Sequence, residues 1–178
     1  MVGGIFYEHS HRLIASVVGL LTIGLAVWIS RTDRRRWVRR LGWTALVGVI
    51  MQGTLGGLTV IYFLPAGISI SHAGLAQLFF ALIVSLAIFT SKGWHSRYNQ
   101  RPPLNDWVLA RLALITPILI YVQILVGATM RHTDAGLAIP DFPLVFGGLF
   151  PPVWTPGISI HFAHRIGALL VAAIVCAT

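Results

Sequence analysis

Seven histidines stand in this chain of 178 residues, and three of them occupy positions where an imidazole is expensive. His11 lies 20 residues before Arg31 and His72 lies 20 residues before Lys92, each in an apolar run that ends at basic residues. At a helical rise of 1.5 Å per residue, both rings lie roughly 30 Å from those basic ends, in one layer. His164 opens another apolar run of the same direction and falls in that layer too. Ionisable side chains inside a membrane span are costly and are read as functional by default. Imidazoles from two helices at one depth suit a haem iron, whose two axial positions lie on opposite sides of a flat ring. The small residues Ala73, Gly74 and Ala76 beside His72 leave room for such a ring. For any one histidine alone, a hydrogen-bonded interfacial residue is the plainer reading.

Glu8 and His11 are three residues apart and share a helix face, as do His161 and His164. Arg12 follows His11 and Arg165 follows His164. Each arginine could snorkel to the surface or pair with an anionic group such as a haem propionate. Glu8 could move protons beside a haem, or be a solvated acid favoured by the start of its helix. His9 reads as interfacial and His95 as part of a basic loop.

The elements that carry these residues are set by composition. The hydrophobic share is 56%, the charged share only 10% and the mean hydropathy +0.81. Such values exclude disorder, collagen, a secreted disulfide scaffold and a soluble enzyme with a polar exterior. Five apolar segments, near 9–29, 42–62, 68–90, 108–129 and 160–178, have the length needed to cross roughly 30 Å of hydrocarbon. The expected fold is an all-α polytopic transmembrane bundle with membrane lipid around it. The net charge of +8 is concentrated in two loops, 30–41 and 91–107, and short basic loops face the cytoplasm. Nucleic acid would call for one accessible basic face instead, so no nucleic-acid partner is expected. The turn at Pro65-Ala66-Gly67 and the loop 131–159 must then face outward. Trp28, Trp37, Trp43, Trp94 and Trp107 fall near the inner boundaries, as an aromatic belt does. Pro117 is expected to kink the fourth span, and Gly53 and Gly57 form a small-xxx-small pair on the second. Cys176 is the single cysteine, so no internal disulfide can form.

Residues 8–15, Glu-His-Ser-His-Arg-Leu-Ile-Ala, recur in outline as residues 161–168, His-Phe-Ala-His-Arg-Ile-Gly-Ala. Both copies run in the same direction, four crossings apart, which is the signature of a parallel repeat. A four-helix unit would divide the chain into 1–100, lacking an opening helix, and 101–178, cut short after its opening pair. Glu8 so near the start, and Thr178 inside an apolar run, agree with a fragment of a longer protein. A partner for His164 would then lie beyond Thr178.

The stretch Glu8-His9-Ser10-His11-Arg12 resembles the Glu-x-x-His-Arg signature of the haem A synthase family, which serves cytochrome oxidase assembly. Further matches follow in the family's order: residues 52–60, Gln-Gly-Thr-Leu-Gly-Gly-Leu-Thr-Val; Ser71-His72-Ala73-Gly74-Leu75-Ala76-Gln77; residues 131–138 with Pro140-Asp141-Phe142-Pro143; and His164-Arg165. The resemblance implies eight helices in two four-helix halves, of which this chain covers the second to sixth. It implies oxidation of the C8 methyl of haem O, the substrate, to the formyl of haem A. His11 and His72 look like the histidine pair of the first half, Glu8 like its catalytic carboxylate, and His164 like one axial ligand of a haem b. Haem O synthase and cytochrome oxidase subunits are the implied partners, and a bacterial inner membrane the implied location. Many members carry a cysteine pair flanking the Pro-Asp-Phe-Pro stretch; Ile139 and Val145 stand there in this chain.

The histidine layer alone also fits a bis-histidine cytochrome b-type electron carrier without turnover. Glu8 and the loop 131–143 favour the synthase, because a pure carrier needs no acid at the haem edge. A haem-free anchoring subunit would leave the matched depth of His11 and His72 to chance.

Overall fold

Apolar runs of this length have only their own backbone to bond with in hydrocarbon, and they coil. A computed structural model describes residues 2–94 and 107–178, with the side chains of residues 2–5 left aside. It contains α1 (Val2–Thr32), α2 (Arg36–Ile61), α3 (Ala66–Thr90), α4 (Trp107–His132), a 3-10 turn at Ala135–Leu137, and α5 (Pro156–Ala177). All five long helices are apolar and long enough to cross a membrane. Even α5, with 22 residues, rises about 33 Å. Leu20, Leu21, Ile50, Phe80, Leu114 and Leu169 are among the many large apolar side chains left exposed, a surface only lipid or further helices can cover. The chain is an all-α, polytopic integral membrane protein.

Each helix overruns the span expected from hydropathy. The basic stretch 30–41 is largely helical, and the connection between α1 and α2 shrinks to residues 33–35. Arginine is a good helix former, and Asp33 supplies the turn: its Oδ1 accepts from the Arg35 backbone N–H at 2.8 Å. Residues 95–106, and with them His95, Arg97, Arg101 and the boundary near residue 100, lie outside the described residues. Between α2 and α3 the chain reverses through Phe63 and Leu64, both with positive φ, 55° and 59°. Thr155 caps α5, accepting from the Ile158 N–H at 3.3 Å, with Pro156 in the first turn, where its missing N–H costs nothing.

The chain forms two compact units: Met1–Val60 with Leu75–Gln100, and Ile61–Gly74 with Arg101–Thr178. In the first, Ile29, Val38, Ala45 and Leu86 form a buried cluster, with Leu41, Phe79 and Leu82 packed against it. Gly42 brings α2 close to α1, since a Cβ there would touch the Ala26 Cα and Ile29 side chain at 3.7 Å. The arginine-rich ends are fastened by one side chain. Arg35 bonds Asp33 through two nitrogens, at 2.7 and 3.1 Å, donates to the Phe89 carbonyl at 2.8 Å, and lies 5.3 Å from the Trp37 ring centre. The Asp33 hydrogen bond holds the Arg35 pKa above its ordinary value, so this charge is fixed at every accessible pH. Trp37 and Trp94 both meet the Phe89 ring edge-on, at 5.0 and 4.9 Å.

Asp33→Ala would strip Arg35 of its carboxylate and the turn of its cap. The expected loss is about 1–3 kcal/mol of stability, seen as a lower midpoint of thermal unfolding in detergent. A midpoint unchanged from the parent would show that the Phe89 carbonyl and the Trp37 ring hold Arg35 without help.

Candidate functional site

The candidate residues on α1 lie toward the opposite end of that helix from Arg31. On α1 the Glu8 carboxylate receives Arg12 Nη2 at 2.6 Å, one turn along the helix. Both side chains are more than half exposed, so the pair contributes little to stability and keeps the carboxylate reachable. His11 is exposed beside it. These residues belong to the first unit.

The remaining candidates belong to the second unit. His72, on the opening stretch of α3, is half-buried, with its Nδ1 shielded from solvent. Two residues on, Gly74 meets α4 so closely that a Cβ would sit 2.9 Å from Leu125 and 3.2 Å from the Tyr121 hydroxyl. Gly74 is thus a helix contact, and the space expected at 73–76 is on this side taken by α4.

His164 projects from α5 onto α4. Its Nδ1 lies 3.0 Å from Gln123 Nε2, and the same amide nitrogen donates to the His164 carbonyl at 2.7 Å. A Cβ at Gly127 would stand 2.8 Å from the His164 Cε1. The Cε1 edge of the ring therefore lies against bare α4 backbone. Beside it opens a cavity of about 510 Å³ lined by Gly127, Met130, Arg131, Asp134, Gly136, Leu137 and His164. Pockets for organic cofactors fall in this range. The lining combines one imidazole, apolar and glycine walls, the Arg131 cation and the Asp134 carboxylate, so His164 is the residue that would hold a haem there and Arg131 the one that would meet an acidic substituent. Among the described residues, no group of three or more His, Cys, Asp or Glu is placed to hold a bare metal ion. Haem ligation needs only one imidazole per face.

The loop from Thr133 to Thr155 folds over the His161 side of α5 and is held by Arg165. The guanidinium donates to the Leu144 carbonyl at 3.0 Å, the Ile139 carbonyl at 3.2 Å and His161 Nε2 at 3.1 Å. It also lies 5.7 Å from the Phe142 ring centre. His161, 7% exposed, has its Nδ1 at 3.3 Å from the Ile139 amide nitrogen. Ile139 and Val145, only 3% and 4% exposed, form the small apolar interior of the loop with Ala135. Asp141 sets its tip, accepting from the Phe146 N–H at 2.8 Å and the Gly147 N–H at 2.7 Å. Those two residues have φ of 53° and 77°, and Val145 and Gly148 pair across them, which makes a tight two-residue hairpin turn.

Sequence reasoning singled out Arg165 as snorkelling or facing a propionate; the structure shows three of its donors on the loop and His161. Gln123 and Gly127 carry no role in the sequence reading, and Asp141 and Gly167 figure there only as members of matching stretches. A glutamine inside an apolar span was the available signal for the first. The glycines and the turn needed the helix crossing to be seen.

The amide hydrogen bonds from Gly147 and Phe146 hold the Asp141 carboxyl below its ordinary pKa. A depressed carboxyl stabilises the fold above its unfolded pKa, about 3.9, and this is lost as pH falls through the folded value. Exchange protection of the Phe146 and Gly147 amides is therefore expected to hold at neutral pH and to collapse below about pH 4. Asp141→Asn should remove that dependence, whereas equal protection at pH 7 and pH 3 in the parent would assign the turn to backbone pairing alone.

Residues 3–178 match the family described as cytochrome oxidase assembly protein. Among curated relatives, the heme A synthase of Shouchella clausii is 32% identical over 93% of this chain and 55% of its own length. That of Caulobacter vibrioides is 32% identical over 96% of this chain and 53% of its own. That of Symbiobacterium thermophilum is 29% identical over 94% and 56%. The chain spans little more than half the length of the relatives it matches.

Proposed function

The chain belongs to the cytochrome oxidase assembly protein family, and we propose that it is the larger part of a haem A synthase, an oxidoreductase acting on haem O within the membrane. The observation that supports this reading is a pair of matched helical turns, each with an arginine bonded four residues back. Arg12 reaches back four residues to Glu8, and Arg165 reaches back four residues to His161, each one residue after a histidine of the expected layer. The repeat thus keeps the arginine and the histidine before it, while the arginine's partner differs. One copy presents an exposed carboxylate; the other presents a buried imidazole fastened to a loop.

That difference divides the labour. His11 and His72 would hold the substrate haem, with Glu8 at its edge. His164 would hold a haem b that carries electrons, with its second ligand contributed from outside these residues. A bound haem would supply the iron chemistry that oxidises the substrate methyl group. Glu8, with Oε1 engaged by Arg12, would exchange a proton at Oε2. Arg12 would keep the carboxylate aimed, and Arg131 would offer the cavity beside His164 its cation for a propionate. Arg165 would serve the same haem by holding the loop, with its two remaining N–H groups available to an acidic substituent. The two halves correspond to residues 1–100 and 101–178 of a duplicated four-helix plan. The arginine-rich ends, residues 30–41 and 91–107, face the cytoplasm of a bacterial inner membrane. Haem O synthase would deliver the substrate and cytochrome oxidase subunits receive the product.

Glu8→Gln should leave haem content unchanged while lowering formyl product about 100-fold or more, the usual worth of a general acid–base, as measured by chromatography of extracted haems. Unchanged haem A output would remove Glu8 from the reaction. His72→Ala should lower substrate haem occupancy; normal occupancy would take His72 out of the ligand set.

A further inference from the structure

Gln123 is the polar side chain that α4 turns toward His164, and two glycines are spent on letting it do so. Gly127, one turn along α4, clears the space the imidazole occupies, and a side chain at Gly167, on the same face of α5, would overlap the Gln123 amide. The two helices are therefore built around this contact. The amide nitrogen meets both the ring Nδ1, at 3.0 Å, and the backbone carbonyl of the same histidine, at 2.7 Å.

This double contact has a consequence for the imidazole. A neutral histidine carries one ring proton, and its position follows from what the other nitrogen meets. With the amide nitrogen donating to Nδ1, the ring proton sits on Nε2, which then has no lone pair for a metal. Turned by half a rotation, the amide puts Oε1 on Nδ1, takes the ring proton there and leaves Nε2 able to ligate. The turn gives up the bond to the His164 carbonyl. Both arrangements use the same atoms, and amide orientation is settled only by such networks.

We propose that Gln123 is a positioning residue that selects the His164 tautomer, holding Nε2 protonated in one amide orientation and ligand-competent in the other. The proposal rests on the reading of His164 as a haem ligand. It makes Gln123 the partner of the non-ligating nitrogen, a place where a hydrogen-bond acceptor fixes ring orientation and raises ligand basicity.

The test compares Gln123→Glu, which can only accept, with Gln123→Leu, which can do neither. Two readouts are taken on the full chain: ¹⁵N chemical shifts of the His164 ring without haem, and titration with iron protoporphyrin IX followed by its reduction potential. The parent should show the Nε2–H tautomer. Gln123→Glu should move the proton to Nδ1 and lower the potential of the bound haem. Gln123→Leu should weaken haem binding by about 10- to 100-fold and leave the tautomers mixed. Identical ring shifts in the parent and in Gln123→Glu would overturn the proposal, whatever the haem result. His164→Ala separates the two layers of the argument: if it binds haem as the parent does, the ligand reading fails. If it loses haem while both Gln123 variants match the parent in affinity and potential, only the role of Gln123 falls.

Discussion

Hydrocarbon offers no hydrogen bonds, and the whole structure answers to that constraint. Backbone groups must bond within their own helix, so each crossing is one long coil and departures from it are confined to the ends. Side chains obey the same rule. Thr22, Thr54, Ser85 and Thr129 donate back to carbonyls three or four residues earlier in their own helices. Groups unable to close on their own helix are the ones that define the site. Gln123 and His164 close on each other.

The same constraint shapes the charged groups. Arg35 gathers a carboxylate, a carbonyl and an aromatic ring, and the result is mechanical. Arg12 and Arg165, each next to a histidine, are bonded one turn back, and the partner differs between the two. An exposed carboxylate can exchange protons with solvent or substrate. A buried imidazole between Arg165 and Ile139 cannot do so without loosening the loop it holds.

Much of this was legible in residue order. Apolar run length and arginine placement require only the order of residues, and all five spans lie where those runs put them. The helix ends were not legible from hydropathy, because arginine continues a helix that hydrophobicity has stopped reporting; Asp33 and residues 36–41 show it. The repeat could be seen at Arg12 and Arg165, but not that each arginine would turn back four residues rather than outward. Side-chain direction depends on what the loop offers, and the Ile139 and Leu144 carbonyls come from more than 20 residues away. The apolar pair Ile139 and Val145 likewise read as a departure from a family pattern, and became intelligible only as the interior of the loop.

The most direct measurement is a reduced-minus-oxidised optical spectrum of the protein purified from cells supplied with haem O, followed by extraction and identification of its haems. The account predicts low-spin bands of bis-histidine haem, with haem b and haem O in the extract and hydroxylated or formyl product beside them. A protein without haem bands would contradict it, and the histidine layer would then be structural.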